Sequence, residues 1–250
     1  MQHWALILLA VLGAANVSAA TFVNTTVIAS SNRAVESRTF SEPGILGWSD
    51  SIQSGQSSAF AQANLETGTL RVRANADIAY YTDFGQASAW VRDTVTFQDW
   101  TGQPVRLYWY FHSSVSANYP NAVYYAPSSA EFQIRVNDQV VEYDGIDNSG
   151  AYFNGGTVEK VGWIEWSSNP GPITLLLLLS AQAQGPGEWI DAGNTARFYL
   201  QLPAGVSYTS TSGVFLADVA PITPIPEPTS ALLLVAGTLV VLARARRRVH

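Results

Sequence analysis

The 250-residue chain contains no cysteine. Disulfide staples, thiolate zinc sites and cysteine nucleophiles are thereby excluded, and the redox compartment is left open, because a core this large needs no bridges. Histidine is nearly absent too: there are three, with His3 and His250 at the extreme ends and only His112 in the body. A histidine-based zinc site wants two or three imidazoles and has no material. No Gly-x-Ser-x-Gly elbow accompanies His112, which lies in a strand pattern on one face with Tyr108 and Tyr110, and no Gly-rich loop opens a helix to cradle phosphate. Charged residues make up 13% of the chain, against about a quarter in an ordinary soluble domain, so a charge-swollen disordered tail is excluded. Four of the 13 basic residues, Arg244, Arg246, Arg247 and Arg248, crowd into the last seven positions. The remainder is acidic, with nine basic residues against 19 acidic, which argues against nucleic acid as a partner. No stretch of 11 to 18 residues in the body sustains a 3.6 period, and no repeat of fixed length is evident.

What is present begins with two distinctive ends. Residues 4–15 are apolar and run into Asn16-Val17-Ser18-Ala19-Ala20, where small residues stand as a signal peptidase requires; 1–20 is therefore expected to be a secretory signal peptide. At the other end, residues 221–228 carry Pro221, Pro224, Pro226 and Pro228, each lacking an N–H and fixing φ, so no helix propagates through them. The apolar stretch 229–243 follows, then the basic tail 244–250. Fifteen helical residues reach about 22 Å, short of a hydrocarbon core of about 30 Å, although the arginines lend length by snorkelling and orient the segment with its tail in the cytoplasm. This C-terminal arrangement resembles the PEP-CTERM sorting signal of Gram-negative bacteria, through Pro226-Glu227-Pro228, the Leu232-Leu233-Leu234-Val235-Ala236-Gly237 core and the terminal arginines. The resemblance covers some 25 residues. It implies recognition of Pro226, Glu227 and Pro228 by an exosortase, transient residence in the inner membrane, and delivery to the cell surface or the extracellular polysaccharide matrix. The partners it implies are signal peptidase, exosortase and exopolysaccharide.

Between the ends, residues 21–220 read in period two. Leu70, Val72, Ala74, Ala76, Ile78 and Tyr80 alternate with polar neighbours, as do Val105, Leu107, Trp109 and Phe111, then Ala130, Phe132, Ile134 and Val136, and Ala196, Phe198, Leu200 and Leu202. Further strands are expected at 90–97, 158–166, 206–210 and 214–217, and residues 173–179 read as a central strand buried on both faces. Val136-Asn137-Asp138-Gln139-Val140 reads as a tight hairpin, since Asn and Asp tolerate the positive φ it demands. Nine or ten such strands predict an all-β fold, an antiparallel two-sheet β-sandwich of jelly-roll type, flanked by the signal peptide and a short C-terminal transmembrane helix.

Chemistry in this body is sparse. Paired carboxylates for glycoside hydrolysis would be Glu159 with Glu165, or Glu188 with Asp191, and neither pair is distinctive. Asp138, Asp144, Asp147 and Asn148 gather oxygen ligands within eleven residues, enough for Ca2+ by type but not by spacing, and a polar hairpin loop accounts for them. Aromatics are more suggestive. Seven tryptophans and all eleven tyrosines fall in the body; if Trp109 is core, Tyr108 and Tyr110 point to the opposite side of the sheet. Tyr124 and Tyr125 lie in a Pro-, Asn- and Ser-rich loop and are the residues expected to touch sugar. The expected function is a non-enzymatic surface or matrix protein with a structural or weakly exopolysaccharide-binding body and no cofactor. A glycan-active enzyme is the alternative, as is an ice-binding surface protein, although the regular threonine arrays of the latter are not found.

Overall fold

A computed structural model describes residues 21–31, 34–76, 83–116, 128–147, 156–185 and 187–217. The chain divides into a unit 1–219, which holds all of these, and a unit 220–250, which lies outside them. The signal segment, Tyr124, Tyr125, Asn148, Pro226, Glu227, Pro228 and the four C-terminal arginines all lie outside the described residues. Among the described residues no helix is long and apolar enough to cross a membrane.

The fold is all-β, with two antiparallel sheets packed face to face. One holds, in spatial order, β2 (Ala34–Pro43), β1 (Phe22–Ser31), β6 (Phe84–Gln98), β11 (Ile173–Gln184), β8 (Ser129–Val136) and β9 (Gln139–Asp147). The short β13 (Ser207–Ser210) pairs with the end of β6 beyond the reach of β1. The other sheet runs β10 (Gly156–Trp166), β7 (Val105–Val115), β12 (Trp189–Gln201), β5 (Thr69–Asn75), β4 (Ser57–Asn64) and β3 (Gly47–Ser54). From β5 onward the chain alternates between sheets, β5 to β6 to β7, then the β8–β9 hairpin, β10, β11, β12 and β13.

Period two is what builds the core. In β7 every odd residue from Val105 to Val115 is buried and every even one is half-exposed, and β6 repeats the pattern over its length. Val91, Leu107, Phe111, Phe132, Ile134, Leu175, Leu177 and Phe198 are completely buried between the sheets. Each such side chain contributes roughly 1.5–3 kcal/mol by leaving water. Strand β11 is central, as expected, but its outward face is only partly covered: Leu176 is buried while Leu178 is half-exposed. It also extends past residue 179 to Gln184. The hairpin forms where the Asn-Asp pair predicts it, with φ of 50° at Asn137 and 65° at Asp138, and Val136 facing Gln139. Asn137 also exchanges backbone and side-chain hydrogen bonds with Thr174 (2.8 and 2.9 Å), which fastens this turn to β11.

One expectation fails. Residues 214–217 form no strand. Phe215 turns inward and is completely buried, Leu216 has φ of 53°, and the Tyr208 hydroxyl donates to the Phe215 carbonyl at 2.5 Å. Their apolar side chains plug the core from a turn rather than from a ladder. The strand starting at Leu70 is described only as far as Asn75, with Ile78 and Tyr80 outside the described residues.

Small details fix how the layers meet. Gly162 stands directly opposite Trp109, and the indole fills the space its missing side chain leaves; a Cβ there would lie 2.3 Å from the ring. Trp109 then packs on Phe132 of the other sheet, ring centroids 4.6 Å apart. Asp93 sits at the gap between β1 and β13 on the edge of β6, fully buried. It accepts hydrogen bonds from Thr21 Oγ1 (3.0 Å), Thr94 N (2.8 Å), Ser212 N (3.3 Å) and Ser212 Oγ (2.5 Å), so one carboxylate ties the first described residue and the last turn to the same strand. The open sides of the sandwich are closed differently. Phe40 of β2 stacks on Trp48 of β3 at 4.0 Å, while Lys160 of β10 pairs with Asp144 of β9.

Candidate glycan-binding face

The outward side of the six-stranded sheet is set by the same alternation that builds the core. Because Trp109 and Phe111 point inward, Tyr108, Tyr110 and His112 point out together, as the sequence predicts. Register then brings neighbours alongside. Tyr108 stands between Trp163 of β10 and Tyr199 of β12; Tyr110 stands between Val161 and Arg197; Arg106 stands between Glu165 and Gln201.

The result is an aromatic row crossing three strands. The Trp163 and Tyr108 rings are 6.0 Å apart and the Tyr108 and Tyr199 rings 6.3 Å, at interplanar angles of 43° and 32°. Trp163 is 58% exposed and Val161 62%. The two side chains are neighbours on the outward face of β10, two residues apart. A row of rings one strand apart offers the negative π faces that the slightly positive C–H face of a sugar seeks, while the polar rim of each tyrosine stays wet.

Polar groups flank this row on both sides. On one flank Arg106 donates from Nε to Glu165 at 2.8 Å, and Glu165 also accepts from Ser167 at 3.2 Å. The hydrogen bond from Arg106 holds the Glu165 carboxyl below the usual carboxylate range against the opposing effect of burial. On the other flank burial pushes the Tyr110 phenol up, with the Glu159 charge and a hydrogen bond to it adding and the Arg197 charge opposing. Tyr110 and His112 lie side by side, hydroxyl to Nδ1 at 3.5 Å. Further along, β12 bulges: three of its residues stand against one of β5 between Ala192 and Ala196, opposite Arg71.

The other residues singled out from the sequence do not converge. Glu159 and Glu165 both point outward on β10 but are six strand residues apart, about 20 Å at about 3.3 Å per residue, far beyond the spacing for paired acid and base. Glu188 is buried and receives the Ser128 hydroxyl, whereas Asp191 lies on the outward face in an ion pair with Arg73 at 3.0 Å. The oxygen-rich segment is likewise spread out. Asp138 occupies the exposed hairpin and pairs with Arg92 (3.3 Å), Asp144 belongs to β9 and pairs with Lys160, and Asp147 ends that strand. Strand extension pulls Asp138, Asp144 and Asp147 apart, Asn148 lies outside the described residues, and among the described residues no three His, Asp or Glu side chains gather as metal ligands.

Sequence reading misses Trp163, the most exposed ring of the row. In β10, Val158, Ile164 and Trp166 lie toward the core while Val161 and Trp163 lie outside, so both faces are apolar and alternation does not reveal which one turns outward. Tyr199 carries a usable signal, since it is flanked by the core residues Phe198 and Leu200 and must point the other way.

No protein-family model matches the chain, and no curated protein does. Several solved structures share stretches of its β-architecture. Over 63% of the chain it resembles the enzymatically active domain of bacteriophage CBA120 tailspike protein 4, at 7% identity and a TM-score of 0.29, and it spans a fifth (20%) of that protein's length. TmCBM61, solved in complex with beta-1,4-galactotriose, matches over 54% of this chain and 71% of its own at 10% identity and a TM-score of 0.23. A chain of Broad Bean Stain Virus matches over 79% of this chain and 91% of its own at 9% identity and a TM-score of 0.22.

Proposed function

We propose that this is an exported surface or extracellular-matrix protein whose sandwich holds glycan on the outward face of the six-stranded sheet. The observation that carries the binding reading is the Trp163–Tyr108–Tyr199 row, with ring-to-ring steps of 6.0 and 6.3 Å and polar groups on both flanks. A binding role is favoured over a catalytic one because the two candidate carboxylate pairs do not converge: Glu159 and Glu165 are far apart on β10, and Glu188 is buried while Asp191 faces outward. The alternation of the chain between sheets from β5 to β13 supports a jelly-roll-like reading of the sandwich. Binding by this row should be visible as retardation in polyacrylamide containing purified matrix exopolysaccharide. Trp163→Ala is expected to weaken retention at least about tenfold, or roughly 1.4 kcal/mol, and undiminished retention would overturn the assignment.

Export and sorting rest on the ends of the sequence. The apolar run 4–15 with Ala19 and Ala20 supports signal-peptide cleavage, and Pro226, Glu227 and Pro228 ahead of the apolar 229–243 and the arginines support exosortase recognition. Intact mass of the native protein tests this directly: loss of both termini is expected, and a full-length mass would overturn it.

A further inference from the structure

The geometry points to acidic, carboxylate-bearing polysaccharide as the ligand class of this face, selected by Arg197 beside the aromatic row and by Arg71 farther along the same face. The inference rests on the glycan-binding reading above and deepens it. The arginines of the face fall into two groups. Arg106 and Arg73 are already committed, to Glu165 at 2.8 Å and Asp191 at 3.0 Å, and these pairs neutralise one another. Arg197 is different: it is exposed, stands directly across from Tyr110 and two residues along β12 from Tyr199, and makes no ion pair among the described residues.

Arg71 lies on the next strand, opposite the β12 bulge. Its one described side-chain hydrogen bond runs from Nη1 to the neutral Gln62 at 3.4 Å, and its buried Nε has no hydrogen-bond partner among the described residues. Glu159, the nearest outward carboxylate of β10, is engaged with Tyr110. Among the described residues these two guanidinium groups of the face have no carboxylate of their own: Arg197 is one outward position along β12 from the aromatic row, and Arg71 is farther along the same face, opposite the bulge. A buried or half-buried guanidinium is costly to leave without an acceptor, and its planar fork matches a carboxylate bidentately. A sugar stacked on Tyr108 and Tyr199 would bring a ring carboxylate to that flank. The chain as a whole is acidic, with a net charge of −6, so long-range attraction to a polyanion does not account for such a preference; local cations must supply it.

The test uses the full chain and three gels containing polygalacturonate, its methyl ester, or neutral β-1,4-galactan. Retention is expected to be strongest on polygalacturonate, by roughly tenfold over its methyl ester, and to lose that advantage as salt rises. Arg197→Gln should abolish the acid preference and leave retention on the neutral galactan unchanged, whereas Trp163→Ala should weaken retention on all three. Equal retention on the acid and its ester, or an acid preference untouched by both Arg197→Gln and Arg71→Gln, would overturn the inference while the aromatic row stands. Retention that ignores Trp163→Ala on every gel would instead sink the glycan-binding reading itself.

Discussion

The two outward faces of the sandwich are built on one shared core yet differ sharply. On the seven-stranded sheet, β6 and β11 present Gln86, Ser88, Thr94, Ser180 and Gln182 around a half-buried Trp90, which leans on Phe22 at 6.5 Å. Thr94 and Thr174 satisfy one another across the strands at 3.1 Å. On the six-stranded sheet, rings occupy three neighbouring strands in register and arginines stand beside them. Strand alternation places equal demands on both inner faces and none on the outer ones. The difference lies in arrangement: the seven-stranded sheet exposes its large apolar side chains, Val35, Val140, Val141 and Tyr143, on the edge strands β2 and β9, whereas the six-stranded sheet sets a row of rings across three neighbouring strands with Arg197 alongside.

The contrast can be broken at its foundation. Gly162→Val should push the Trp109 indole from its place between the sheets and lower stability by about 3 kcal/mol or more, read from denaturant unfolding, and should take glycan retention down with it. Asp93→Ala acts only on the seven-stranded sheet. Four donors lose their acceptor, so a loss of about 2–3 kcal/mol is expected, with retention unchanged while the protein remains folded. Tyr108→Ala with Tyr199→Ala should do the reverse, reducing retention at least about tenfold with a smaller change in stability, whereas Trp90→Ala should leave retention unaffected. If Trp90→Ala weakened retention as much, the assignment of binding to one face would fail.

A smaller effect distinguishes the phenols. The fold raises the pKa of Tyr110 and of Tyr208, mainly by burial, with the Glu159 charge adding at the first and the Asp93 charge at the second. A raised folded-state pKa means that the neutral phenol is favoured in the native protein. The associated stability is complete below the ordinary tyrosine value of about 10 and is lost as pH rises through the folded value. Ultraviolet titration should show these two tyrosines ionising late, and Tyr110→Phe and Tyr208→Phe should each remove one late step. The smallest expected effect is that of Glu165→Gln, whose exposed pair with Arg106 should leave Tm unchanged within error.

Some of this was legible in the chain and some was not, for identifiable reasons. Strands β7, β8 and β11 announce themselves because large apolar residues fill every inward position. Strands β1 to β4 do not. In β4 the inward residues are Ser57, Ala59, Ala61 and Ala63, too small to register as hydrophobic pattern, and β2 is exposed along nearly its whole length. In β1, Asn24, Thr25, Thr26 and Ser30 are buried, so polarity there misreports burial. Residues 214–217 fail in the opposite sense: their apolar run reads as a strand, but Phe215 is a plug inserted from a turn. Glu159 and Glu165 were close in sequence and separated in space because an extended strand spends its residues on length, and Glu188 and Asp191 were separated because one turns inward and the other outward.

By itself, the sequence determined an all-β sandwich and the outward direction of Tyr108, Tyr110 and His112, because alternation along one strand is a local property that needs no partner. It also located the Asn137-Asp138 turn, since positive φ is a demand on individual residues. The tertiary structure alone decided that Trp163, Tyr108 and Tyr199 form one row, that Arg197 stands next to it and that Arg71 lies farther along the same face. Those residues come from strands far apart in the chain, and only the pairing register between strands sets which of them lie side by side.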